Sequence, residues 1–124
     1  MASKIEVISW LSSNFETLEE IELGYYTVHL ATDGGRSQKV WIKVLDSAVV
    51  LESPFGDDSQ ASAEIVLGLV ADKCNLGLSK TGRFYVLRHV VPIEDVDPSE
   101  LQFGVNLVAN EADTLEIAFG KDNF

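Results

Sequence analysis

Apolar residues along this chain change their period several times, and each change marks a predicted element. Ile8, Leu11 and Phe15 recur at helical spacing, with Val7 and Trp10 on a flank. Ser3 followed by Glu6 makes a capping-box pattern ahead of them: the hydroxyl can take a free backbone N–H and the glutamate can reach back. A first helix is predicted from about Ser3 to Asn14. After an acidic connection, Tyr26, Val28 and Leu30 alternate with Tyr25, Thr27 and His29, which is strand periodicity. Asp33-Gly34-Gly35 supplies the positive-φ residues of a tight reversal. Within Gln38–Asp46, Val40, Ile42 and Val44 share one face and Trp41 and Lys43 the other. Ala48–Glu52 is a third short run, ended by Pro54 and the polar loop Gly56-Asp57-Asp58-Ser59. The three runs are expected to form an antiparallel meander.

A second helix is predicted from about Gln60 to Asn75. Its polar positions Glu64, Gly68 and Asp72 make one narrow stripe, while Ile65, Val66, Leu67, Leu69, Val70 and Cys74 fill the remainder. A helix facing one core needs an apolar stripe little more than about 100° wide. This helix has more, so it is either sandwiched inside the domain or buried partly against another subunit. Gly77 reads as its C-terminal cap, and Leu78 as the start of a hairpin that turns at Lys80-Thr81-Gly82 and returns through Arg83–Val91 to Pro92. Asp97-Pro98-Ser99-Glu100 is a strong helix start, with a cap, a proline at the first helical position and an acid at the third. Leu101, Val105, Val108, Ala112, Leu115 and Phe119 form the buried stripe of that last helix, opposite Gln102, Asn106, Asn110 and Asp113.

The order α-β-β-β-α-β-β-α defines an α+β fold, an antiparallel sheet packed with helices. At 124 residues it is read as one domain spanning 1–124, large enough for a single core. The formal net charge of −11 repels phosphate backbones and anionic lipid surfaces, so nucleic-acid and membrane partners are not expected, and a basic partner is favoured. Cys74 is the only cysteine, which rules out an internal disulfide and suits a reducing compartment. No basic region followed by an apolar run opens the chain, and Ile65–Ala71 is too short to span a bilayer; a cytoplasmic location is the expectation.

Catalytic patterns are missing from the sequence: it has no GxxxxGK[ST], HExxH, CxxC or GxSxG. His29 and His89 fall on different predicted strands and could meet across a sheet, but a metal site would need a third ligand. Glu94-Asp95-Val96-Asp97 with Glu100 lacks the spacing and central glycine of a calcium loop, and helix capping accounts for Asp97 and Glu100. The expectation is a protein that is not an enzyme and uses no cofactor or metal. What remains is surplus apolar surface. Trp41 and Leu45 oppose Val40, Ile42 and Val44, and Tyr85 and Leu87 oppose Phe84, Val86 and Val90. A sheet covered on one side normally alternates cleanly. Either helices cover both faces, or the aromatic tips merely sit at a rim, or one face carries a dimer contact or a groove for a client.

Arg83-Phe84-Tyr85-Val86-Leu87-Arg88-His89-Val90-Val91-Pro92, the Asp97-Pro98 helix start, and the stretches Val105–Ala109 and Glu111–Asp113 carry a resemblance. Over nearly its whole length the chain resembles the YbjN-like proteins and, more distantly, the class I chaperones of type III secretion. Those chaperones are small acidic cytoplasmic homodimers that use no nucleotide and hold an extended client segment, partly by strand addition. The resemblance implies dimerisation through the second helix or neighbouring strands. YbjN-like proteins have no established biochemical activity as a class and are often described as regulators or sensory proteins. The leading expectation is therefore a homodimeric, chaperone-like adaptor for a segment of a client protein. Val66, Leu69 and Val70 are the expected dimer contact, and Trp10, Trp41 and Tyr85 the expected client anchors. The alternative is a regulatory or sensory domain that binds a small ligand.

Overall fold

A computed structural model of the protein describes residues 3–33, 35–71 and 76–118. The first helix, α1 (Lys4–Asn14), starts as expected: Ser3 Oγ accepts the Glu6 N–H at 3.3 Å and donates to the Glu6 carboxylate at 3.1 Å. Four strands follow, β1 (Glu19–Glu22), β2 (Tyr25–Ala31), β3 (Ser37–Val44) and β4 (Ala48–Asp57). The helix α2 (Ala63–Leu69) leads to the hairpin of β5 (Gly77–Thr81) and β6 (Phe84–Pro92). A 3-10 turn at Ile93–Asp95 then delivers the chain to α3 (Pro98–Ala118).

The α+β class and the antiparallel sheet are as expected, with one strand more. The acidic connection after α1 forms β1, paired with β2 from Glu19↔Thr27 to Glu22↔Tyr25. All of its side chains are exposed, and such a short charged edge discourages pairing with other chains. Gly24, at φ +82°, makes the turn between β1 and β2, and its carbonyl accepts the Val44 N–H at 2.8 Å. The six strands lie in the order β1-β2-β3-β4-β6-β5, so the hairpin enters beside β4 and leaves β5 as the second edge.

β4 does not stop before Pro54. Proline lacks a donor, but the pairing with β6 shifts register between Pro54 and Gly56, and this bulge lets the strand continue to Asp57. α2 is shorter than expected. It starts a little later, at Ala63, with Ser62 capping it by accepting the Ile65 N–H at 3.4 Å, while the Gln60 side chain accepts the Asp57 N–H at 2.8 Å within the preceding turn. Positions 72–75, including Asp72 and Cys74, lie outside the described residues, as do Gly34 and Phe119. Gly77, expected as a helix cap, begins β5 instead.

All three helices pack on one face of the sheet. Val7 and Leu11 of α1 and Leu101, Val105 and Val108 of α3 close a core over Val28, Val40, Ile42, Val44, Val49 and Leu51. A second cluster joins Val66 of α2 with Phe55, Tyr85, Leu87, Ala112 and Leu115. Gly104 permits the close contact of α3 with the sheet: a Cβ there would stand 2.9 Å from Leu51 Cδ1 and 3.0 Å from His89 Cδ2. Of the alternatives left open for the sheet, helices on both faces is not met among the described residues, since no described helix covers the other side.

Asp113, expected on the polar side of α3, is buried. Arg36 Nε donates to its Oδ1 at 2.8 Å and Thr32 Oγ1 to its Oδ2 at 3.0 Å, while Arg36 Nη2 reaches Glu116 at 3.3 Å. The Asn110 side chain also accepts the Asp33 N–H at 2.9 Å. These contacts fasten the β2–β3 turn to α3 through charge-assisted bonds.

Candidate functional site

Three surfaces gather the side chains expected to meet partners, and they lie on different parts of the domain. The first is α2. Val66 alone turns inward on that helix and is fully buried. Its neighbours Ile65, Leu67 and Leu69 are 57%, 59% and 41% exposed. The expected contact set is thereby corrected: Val66 belongs to the core of its own chain, Val70 is half-buried against the second cluster, and only Leu69 presents a largely open side chain. Ile65 and Leu67, not expected at this contact, are its most exposed apolar members.

Trp10 lies in the second surface, a groove of about 660 Å³ between α1 and the start of α3. Its indole packs edge-on to Phe15 at 5.7 Å and is half-buried. Ile5, Val96, Pro98 and Leu101 supply the apolar lining, and Glu6 and Asp97 the charge. Asp97 caps α3 by accepting the Ser99 hydroxyl at 2.7 Å and the Glu100 N–H at 2.8 Å. The Ser99 bond first, and the backbone bond after it, hold this carboxyl below its ordinary value.

The third surface is the sheet face that no described helix covers. Trp41 stands here half-buried, edge-on to Phe84 at 6.2 Å. Beside it Glu52, paired with Trp41 and with Arg88 in register, is fully buried. Arg88 Nε donates to Glu52 Oε2 at 2.9 Å, and its Nη2 bonds the same oxygen. Lys43 Nζ stands 3.1 Å from Oε1, an ion pair by distance although it is not aligned as a hydrogen bond. Ile21, Tyr25, Trp41, Lys43, Glu52 and Thr81 outline a small pocket of about 150 Å³ next to this triad.

Tyr85 is not a surface anchor. It is buried against Phe55 at 6.4 Å, and its hydroxyl donates to the Ala61 carbonyl at 2.9 Å. The expected client anchors therefore do not form one site: Trp10 sits on the helical side of the sheet, Trp41 on the bare side, and Tyr85 inside. His29 and His89 also stay apart, on strands separated by β3 and β4 and on opposite faces by register. Among the described residues no group of three His, Cys, Asp or Glu side chains is placed to hold a metal ion. No described helix is long and apolar enough to cross a membrane.

Compared with known proteins, the chain matches no protein-family model. No curated protein matches it either.

Proposed function

We propose that this domain is a non-enzymatic, homodimeric protein-binding module, a chaperone-like adaptor that holds a segment of a client protein. The observation that carries the reading is α2, a seven-residue helix that leaves Ile65, Leu67 and Leu69 open to water. Scattered exposed apolar residues are ordinary, but Ile65 and Leu69, one turn apart on the same side of α2, make a patch whose burial by a partner is favourable at about 25 cal/mol per Å², with Leu67 exposed on another side. The resemblance to YbjN-like proteins and class I secretion chaperones points the same way. The alternative, a small-ligand domain, draws on the groove beside Trp10, whose roughly 660 Å³ lies within the ~300–1,000 Å³ usual for ligand clefts, whereas the roughly 150 Å³ beside Trp41 falls short.

Sedimentation velocity tests the proposal. The wild-type chain is expected to sediment as a dimer, and Ile65→Asp as a monomer with an unchanged circular-dichroism spectrum. Ile65 is chosen because it shares its side of the helix with Leu69 and its exposure uncouples it from the chain's own core. A wild-type protein that remains monomeric at high micromolar concentration defeats the homodimer.

A further inference from the structure

The groove between α1 and the start of α3 has a composition that selects among clients. Its volume of about 660 Å³ lies within the ~300–1,000 Å³ of established clefts. Val7 and Leu101 form a buried apolar floor, and Trp10 and Pro98 form part of the walls. Ile5, which also lines it, is 80% exposed. Ser13 and Asn14 offer little to a visitor, because their side chains donate to the Ser9 and Trp10 carbonyls of their own helix at 3.0 and 2.8 Å.

Among the described residues the charge around this apolar floor is of one sign. Glu6 and Asp97 line the groove, and no described lysine or arginine does. Exposed Glu94 and Asp95 immediately precede Val96. Lys4, the basic residue of α1, is turned away: its Nζ lies 3.7 Å from Asp46 and 3.8 Å from the position a Cβ would take on Gly24. Carboxylates beside an apolar wall, inside a chain of net charge −11, attract cations and repel anions. A second copy of this chain would bring further negative charge to the same rim, and so would an anionic lipid surface.

We infer that this groove takes a basic, apolar-anchored peptide segment, with large apolar side chains on the Trp10 wall and lysines or arginines against Glu6 and Asp97. The inference rests on the protein-binding reading above and names the chemistry of the client. It places the client on a surface separate from the α2 patch.

The chain has two tryptophans, so Trp41→Phe leaves Trp10 as the sole indole reporter. The probes are three synthetic peptides. One has leucine and phenylalanine anchors flanked by lysines, one replaces the lysines by glutamates, and one replaces the anchors by serines. Only the first is expected to give a saturable shift of Trp10 emission, and its affinity should fall several-fold between about 50 and 500 mM salt. Ile5→Asp should weaken it by about tenfold or more, since an apolar contact is lost. Attraction by charge alone would instead tighten binding to this more acidic variant, which separates the groove from general electrostatics. Glu6→Gln keeps the capping box and removes a charge, and should weaken binding about two- to five-fold. Equal binding of the glutamate peptide, unchanged or tighter binding by Ile5→Asp, or no saturable response to any peptide overturns the inference. The sedimentation result on α2 is independent of each of these outcomes, so failure here and failure of the dimer reading are told apart.

Discussion

Removing both cations around Glu52 together is expected to cost far more than the two separate changes suggest. The carboxylate is fully buried, while Lys43 is 32% and Arg88 39% exposed at the side chain. In Lys43→Met or Arg88→Met the aliphatic stem is kept and Glu52 retains one cation. Water also reaches the site of the lost group. The single changes should therefore cost about 0.5–1.5 kcal/mol each, with Arg88 the larger because it donates through two nitrogens. In the double variant the carboxylate has neither partner, and a buried charge left uncompensated costs about 3–5 kcal/mol. The excess over the summed single losses should reach about 2 kcal/mol, well beyond the ~0.5 kcal/mol within which independent sites add. Urea unfolding at neutral pH measures all of the variants. Adding Glu52→Leu to the double variant removes the stranded charge and should recover most of the loss, since apolar replacements of buried ion clusters are often neutral. Additive single and double losses, or a triple variant as unstable as the double, would refute the electrostatic account and leave packing of the stems as the cause.

Two further outcomes follow from α3. Gly104→Ala gains about 1 kcal/mol of helix propensity but pushes a methyl to within 2.9 Å of Leu51, and overpacking of this kind costs about 1–3 kcal/mol. A net loss in thermal melting is expected, larger for Gly104→Val; a stabilised alanine variant would mean that α3 does not lie this close. Asp97, whose folded-state carboxyl is held below the ordinary 3.8, contributes stability that is present above that value and lost as pH falls through the folded one. Melting curves of the wild type and Asp97→Asn should differ at neutral pH and converge in acid, and a gap that persists undiminished at low pH refutes the assignment.

The parts of the fold legible in the sequence are those where one period governs a whole element. The alternation of Val40, Ile42 and Val44 and the stripe from Leu101 to Leu115 both face the core, and the cap at Asp97 is bonded as its residue types require. Reading failed where a local rule met a tertiary one. Pro54 looks like a strand end until a bulge opposite β6 accommodates its missing donor. Glu19–Glu22 carries no apolar alternation because β1 is an edge with every side chain in water, so its strand character comes from β2 and not from its own residues. Spacing alone puts Asp113 on the polar side of α3, but Arg36 and Thr32, about eighty residues earlier in the chain, draw it inside.

Contact surfaces are harder to read than cores because residue type does not separate them. Val66 and Leu67 are adjacent and equally apolar, yet one is fully buried and the other is 59% exposed. Tyr85 and Trp41 are both strand aromatics next to apolar runs. The Ala61 carbonyl satisfies the hydroxyl of one inside the domain, while the other stands over the bare face. The surplus of apolar residues on the second helix was visible from its narrow polar stripe, but the stripe cannot say which of them the chain covers for itself. That depends on the angle at which α2 meets Phe55 and Tyr85. Once that angle turns Val66 inward, helical geometry points Ile65 and Leu69 together to one side and Leu67 to another. A core contact of one residue thus fixes where the exposed ones stand, so the Ile65–Leu69 patch follows from how α2 packs.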